Sequence, residues 1–271
     1  MQAETARKLV TEQIDSLSTA LAAGHSDQLQ GYLAAMARFH RYSLSNVFLI
    51  MLQRPDATHV AGYHTWRSLG RHVKEGERGI AIIAPMRVAD RDEQGGSNQS
   101  SSSQDSEPVV RFRTAYVFDV SQTDGEPLPE IGQASGDPGM FSDRLRNLVK
   151  NLSIELEFSD DLGGALGVSK GGRIELKSDM PPAQEFSVLV HELAHELLHQ
   201  KRREDRPSKT VRETQAEAVA YIVAEGIGLD TGGASTDYIH LYQGDAKTLL
   251  DSLEEVRQAA TEILSALLSD E

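Results

Sequence analysis

The sequence predicts an α+β protein: an N-terminal half that mixes helices and strands, then a mostly helical half with a small β-sheet. Three observations carry this expectation. Apolar residues recur every three to four positions in several long segments, the period of helices with one buried face. GIAIIAPMRV and VVRFRTAYVFDV are instead short, β-rich runs, the second alternating apolar with basic residues as a strand with one wet face does. Finally, residues 90–107 lack any aliphatic or aromatic side chain, and 127–140 are rich in proline and glycine. The first reads as a surface loop joining the two strands of a hairpin. The second reads as a linker that divides the chain into modules at 1–126 and 141–271.

Composition narrows the class. The chain has 271 residues, 39% hydrophobic and 25% charged, ordinary values for a globular protein of one or two domains. It has no cysteine, which excludes disulfides and thiolate metal or redox sites. There is no apolar run long enough to span a bilayer, and MQAETARKLVTEQIDSL lacks the apolar core of a signal peptide. No membrane association and a cytoplasmic location are the expectation. Net charge is −14, which taken whole argues against nucleic acid. Its distribution argues differently. Residues 38–87 carry eight basic side chains (Arg38, Arg41, Arg54, Arg67, Arg71, Lys74, Arg78, Arg87) against Asp56, Glu75 and Glu77, while residues 131–271 carry most of the negative excess.

In chain order, residues 5–23 form a helix on the stripe Leu9, Val10, Ile14, Leu17 and Leu21, stopped by Gly24. A second helix begins at Ser26 as N-cap and turns Leu29, Leu33, Met36 and Phe39 inward. SLSNVFLIMLQR is a third, ended by Pro55. TWRSLGR is a short helix, and KEGERG a tight turn into the first long strand. In the second half, FSDRLRNLVKNLSI is an amphipathic helix and GGALGVSKGGRIELK a hairpin turning at SKGG. Its second strand is expected to present its edge to an extended peptide. Residues 245–268 close the chain as a helix with a leucine-rich stripe, most simply the lid of a core, otherwise a dimer contact.

VLVHELAHELLH, residues 188–199, contains H-E-x-x-H in a helical frame. Positions i and i+4 share a helix face, so His191 and His195 can hold one Zn²⁺, and Glu192 can take a proton from a water that the metal acidifies. A catalytic zinc needs a third protein ligand. VRETQAEAVAYIVAEGIGLD, 211–230, returns as a second helix after the basic turn KRREDRPSK and offers Glu213 and Glu217, again four apart. Glu213 is assigned as ligand and Glu217 as a carboxylate that orients a ligand histidine, with the reverse assignment open. His199 lies eight residues from His191, roughly 12 Å along the helix, too far to share one ion. It is read as a supporting or packing residue. Tyr238 or His240, in TDYIHLY after the second helix, are candidates for an oxyanion donor.

Arg38, Arg41, Arg67, Arg71, Lys74 and Arg78 interleave with Tyr63 and Trp66. Cations that track phosphates beside aromatic faces that stack bases are how proteins hold single-stranded nucleic acid. The alternative is a core Trp66 and a solvated arginine surface.

YSLSNVFLIMLQRPDATHVAGYHTWRSLGRHVKEGERGIAIIAP and VFDVSQTDGEPLP resemble the N-terminal domain of ArdC-type antirestriction proteins through Ser45, Asn46, Gly62, Trp66, Val73, Lys74, Gly76, Gly79, Ile80, Pro85, Phe118, Asp119, Gln122 and Gly125. HELAHELLH with RETQAEAVAY resembles the ImmA/IrrE-type metallopeptidase domain, a zincin. The first resemblance implies single-stranded DNA binding. The second implies a zinc peptidase whose third ligand is the first acid of the following helix, here Glu213. The serine-rich loop departs from the pattern of the first family. The expected function is a zinc metallopeptidase coupled to a single-stranded DNA-binding domain and acting on a protein substrate. The alternative is a DNA-protecting antirestriction protein with a structural zinc.

Overall fold

The computed structural model describes residues 3–25, 27–88, 109–127, 136–200, 207–229, 241 and 245–269, and has the expected α+β architecture. Three helices come first: α1 (Ala3–Ala22), α2 (Asp27–Arg38) and α3 (Leu44–Gln53). Their predicted stripes are buried, Val10, Ile14, Leu17 and Leu21 against Leu29, Leu33 and Met36. Ser43 caps α3 by accepting from the Asn46 N–H. The predicted cap of α2, Ser26, lies outside the described residues.

Next come β1 (Val60–Gly62), the short α4 (Tyr63–Ser68), β2 (Arg71–Val73), β3 (Ile80–Val88), β4 (Val109–Asp119) and β5 (Thr123–Gly125). β3 and β4 pair antiparallel from Ile80↔Val117 to Val88↔Val109, as the alternation predicts, and the order of the sheet is β1-β4-β3. The intervening loop, 90–107, lies outside the described residues. The outer edge of β3 is covered by two side-chain amides of α3. Asn46 exchanges two hydrogen bonds with the backbone of Ile83 (2.9 and 2.8 Å), and Gln53 two with Ala81 (2.8 and 2.9 Å). They stand in for a neighbouring strand and close an edge that otherwise invites aggregation.

β2 and β5 form a separate antiparallel pair. Between β4 and β5, Asp119 accepts from the backbone N–H groups of Thr58 and His59 and from Ser121, while Gln122 donates to Glu77 and to the Arg78 carbonyl. Both side chains are buried, so each pins one loop to the strand end.

The second half contains α5 (Met140–Asn151), β6 (Glu155–Ser159), β7 (Gly167–Ser169), β8 (Arg173–Lys177), α6 (Pro182–His199), α7 (Lys209–Ile227) and α8 (Ala246–Leu267). The predicted hairpin is β7–β8, but the sheet order is β6-β8-β7. β8 is therefore central, paired on both sides, and cannot offer an edge to a peptide. That expectation is corrected: the edge beside the H-E-x-x-H helix belongs to β7. Burial on both sides, not strand order in the sequence, decides which strand is inside.

The core runs without a break from Ala6 of α1 to Leu267 of α8. α7 is packed by α6, α8 and the N-terminal α2, and α8 also touches α1 and α3. Of the C-terminal helix, Leu249, Leu253, Val256, Ile263, Leu264 and Leu267 are buried within this core. Its apolar stripe is the lid and not a dimer face. Hydrogen bonds cross the same seam: Thr261 Oγ1 donates to the His40 carbonyl (2.9 Å), and Arg257 reaches the Tyr42 carbonyl (3.5 Å).

Candidate functional site

α6 sets His191 and His195 one turn apart, and α7 returns antiparallel to bring Glu213 against them. The Nε2 atoms of the two histidines lie 3.1 Å apart, and Glu213 Oε2 is 3.5 Å from each. A tetrahedral ion with bonds of about 2.0–2.1 Å separates its donors by about 3.3–3.4 Å. The three atoms thus match one face of a tetrahedron, with the fourth direction open. Glu217, one turn on, does not enter this triangle; its Oε2 is 3.4 Å from His191 Nδ1.

The partners behind the histidines determine their tautomers. His191 Nδ1 faces a carboxylate and so carries hydrogen, leaving Nε2 a lone pair. His195 Nδ1 is 2.9 Å from His199 Nδ1, and His199 Nε2 is 2.9 Å from Gln215 Oε1. The amide of Gln215 donates to Ser252 (2.8 Å) and to Glu255 (3.0 Å), so its oxygen must face His199. His199 then carries hydrogen on Nε2 and accepts at Nδ1, which makes His195 a donor at Nδ1 and leaves its Nε2 a lone pair as well. Two lone pairs directed at each other across 3.1 Å, with a carboxylate beside them, call for a cation at their focus. The residues fit a divalent metal. Electrostatics favour a neutral ring at His195 and a positive charge beside His191, the place a cation would take. Burial opposes protonation of both histidines; at His191 the surrounding Glu217, Glu192 and Glu213 outweigh it and raise the pKa, while at His195 burial and the neighbouring His191 lower it to about 4.

Glu192 is buried beneath β7 and accepts from the Ser169 N–H. Burial raises its pKa. The close approach needs Gly167: a Cβ there would stand 2.7 Å from both Glu192 Cγ and Val188 Cγ1. Glu196, on the same helix, accepts from Ser169 Oγ and from the N–H groups of Gly171 and Gly172, clamping the β7–β8 turn to α6. A cleft of about 630 Å³ follows, bordered by β7, Glu192, His195, Glu213 and Arg212. The Arg212 Nε is buried and, among the described residues, has no hydrogen-bond partner. Tyr238 and His240 lie outside the described residues.

The basic module divides in two. Trp66 is 2% exposed and its indole N–H donates to the Phe118 carbonyl, so its ring offers no face to a base. Its expected stacking role is corrected to a core role. Arg71 is spent on the Thr123 side chain and on the carbonyls of Thr123, Gly125 and Glu126, holding β2 to β5. Lys74 bonds the Ser121 carbonyl (3.0 Å) and pairs with Asp124 (3.6 Å). Arg38 donates to the Ala57 carbonyl (2.9 Å). Arg41, Tyr63, Arg67 and Arg78 remain exposed.

Sequence reasoning missed Gln215, Ser252 and Glu255, since a hydrogen-bonded chain between three helices leaves no local pattern. It missed Gly167 because a close approach depends on the partner helix. Arg7, Phe112 and Tyr116, which are exposed, fall outside the basic stretch that drew attention.

Sequence models of two families match the chain. Residues 3–118 match the N-terminal domain of the anti-restriction factor ArdC, and residues 153–224 match the IrrE N-terminal-like domain of the peptidase M78 family. A curated relative, an uncharacterized protein of Bacillus anthracis, is 27% identical over 86% of this chain; the alignment spans 46% of the relative, about half its length. Two solved structures share the fold: the antirestriction ArdC protein from the R388 plasmid in its metal-free form (TM-score 0.53, 16% identity, 96% of this chain and 97% of that one) and in its Mn(II)-bound form (TM-score 0.52, 16% identity, 97% and 99%). The chain therefore joins an ArdC-type N-terminal domain to an IrrE-like, metallopeptidase-like domain, the two families that its motifs resemble.

Proposed function

We propose that this protein is a zinc-dependent metallopeptidase of the cytoplasm, coupled to a single-stranded DNA-binding module, that hydrolyses a protein substrate. The modules are residues 1–126 and 141–271. The observation that carries the reading is the triangle of His191, His195 and Glu213 with Glu192 beside it. Zn²⁺ bound there supplies Lewis acidity toward a water and a substrate carbonyl. His191, His195 and Glu213 hold it; Glu217 and the His199–Gln215 chain keep both imidazoles aimed. Glu192, raised toward neutrality by burial, accepts the proton of the attacking water and returns it to the leaving amine. The free edge of β7 takes an extended peptide by strand addition, and the clamp from Glu196 holds that edge in register. Tyr238 or His240 serves as oxyanion donor.

A second reading is supported by the two ArdC neighbours, whose descriptions name antirestriction. In it the chain protects DNA by binding it, and the metal site is structural. One experiment separates the readings. Full-length protein and its Glu192→Gln variant are incubated with single-stranded DNA and cell extract. Loss of a discrete protein band with wild type alone supports the peptidase; identical band patterns over a range of metal and DNA concentrations decide for the second reading.

A further inference from the structure

With Arg38, Arg71 and Lys74 occupied by the fold and Trp66 buried, the exposed cations and rings of the N-terminal half lie elsewhere. A groove of about 550 Å³ is bordered by Arg7 of α1, Arg41 and Ser43 from the α2–α3 turn, Ser45 of α3, Pro85 of β3 and Phe112 of β4. Among the described residues no carboxylate lines it, in contrast to the metal cleft with Glu192 and Glu213. Among the described residues neither Arg7 nor Arg41 has an ion-pair partner. The Arg7 guanidinium stands 6.0 Å from the centre of the Phe112 ring, and that ring is 50% exposed. Tyr116 lies four residues further on the same face of β4 and is 53% exposed.

We propose that this groove is the seat of a single DNA strand: Arg7 and Arg41 take adjacent phosphates, and Phe112 stacks the base between them, with Tyr116 next along the strand. The proposal rests on the nucleic-acid reading of the N-terminal module and names its contact surface. Two guanidiniums that, among the described residues, have no ion-pair partner and no carboxylate beside them give the field that a polyanion needs, and the first turn of α3 adds its partial positive charge. Charge alone would also suit an acidic peptide. The exposed rings beside the arginines select a ligand with flat faces to offer. A duplex keeps those faces within its own stack, so a single strand is the ligand that uses both features. None of the three site residues belongs to the buried network, so replacing them leaves the fold intact.

The test uses full-length protein and a fluorescein-labelled oligothymidylate, with anisotropy read across a salt series. Arg7→Ala with Arg41→Ala is expected to weaken binding at least tenfold and to flatten the log–log salt slope by about 1.4, since each phosphate on a single strand contributes about 0.7. Phe112→Ala is expected to weaken binding about tenfold without changing the slope, and Phe112→Tyr to restore it. Circular dichroism confirms that the variants are folded. If wild type binds but the double variant matches it while Arg67→Ala with Arg78→Ala loses affinity, the groove is overturned and the nucleic-acid reading stands. If wild type gains no salt-sensitive anisotropy with any single strand, both fall and a protein partner takes their place. Equal affinity for duplex and single strand overturns the stacking role of Phe112.

Discussion

The candidate metal site and the basic module put polar residues to opposite uses. At the metal centre nearly every polar side chain that the sequence marks stands where helical spacing places it: His191, Glu192 and His195 on α6, Glu213 and Glu217 on α7. In the basic module, half of the marked residues serve the fold. Arg71 and Lys74 bond carbonyls, Arg38 caps the Ala57 carbonyl, and Trp66 fills the core. The difference is one of constraint. A metal demands several donors converging on one point, so a motif that supplies them is specific. A cation demands only some acceptor, and a backbone carbonyl satisfies it as well as a phosphate does.

That comparison can be broken in order of expected effect. His195→Ala removes one corner of the donor triangle, and metal analysis of the purified protein should fall from one zinc per chain to a trace. Glu192→Gln should keep a full complement, because Glu192 is not a ligand. Undiminished metal in His195→Ala would sink the site. In the basic module the largest effect is on stability: Trp66→Ala should cost about 3–5 kcal/mol in denaturant unfolding, the range for truncating a buried aromatic. A folded variant of unchanged stability would restore Trp66 as a surface residue.

Smaller effects sharpen the contrast. Gln215→Leu severs the chain behind His195 without touching a donor atom, and zinc affinity measured by chelator competition should drop about 10–100-fold. An unchanged affinity would reduce the His199–Gln215–Glu255 chain to packing. Asp119 carries a pH signature. Burial pushes its pKa up, but hydrogen bonds from Ser121, Thr58 and His59 prevail and lower it below the ordinary value. Its stabilisation is therefore complete above the unfolded-state pKa and lost as pH falls through the lower folded value. Asp119→Asn should flatten the acid limb of the stability profile, and an identical limb would argue that the loop clasp is weak. Smallest is the pair Arg71→Ala and Arg41→Ala. The first should destabilise by about 1–3 kcal/mol because several carbonyls lose their donor, the second by under about 0.5 kcal/mol. Equal values in thermal unfolding would erase the distinction between structural and free arginines.

The helices were legible because their apolar stripes are local, as Val10, Ile14, Leu17 and Leu21 illustrate. The β3–β4 pairing was legible because alternation survives in both strands. Sheet order was not: nothing within GGALGVSKGGRIELK reveals that β6 pairs parallel with β8 and places it in the centre. Family-like residues such as Asn46, Trp66, Asp119 and Gln122 were visible as a pattern, yet their role as clasps between distant segments emerges only from contacts across tens of residues.

By itself, then, the sequence marked the donors of the candidate metal site and the class of fold. A four-residue spacing on a helix has one geometric meaning, and apolar periodicity has few. The tertiary structure alone decided which of two acids completes the donor triangle, which strand presents an edge, and which arginines are free. Those outcomes depend on the return angle of α7, on what covers each strand, and on whether a carbonyl lies within reach of each guanidinium. They are set by packing between segments that the chain order keeps far apart.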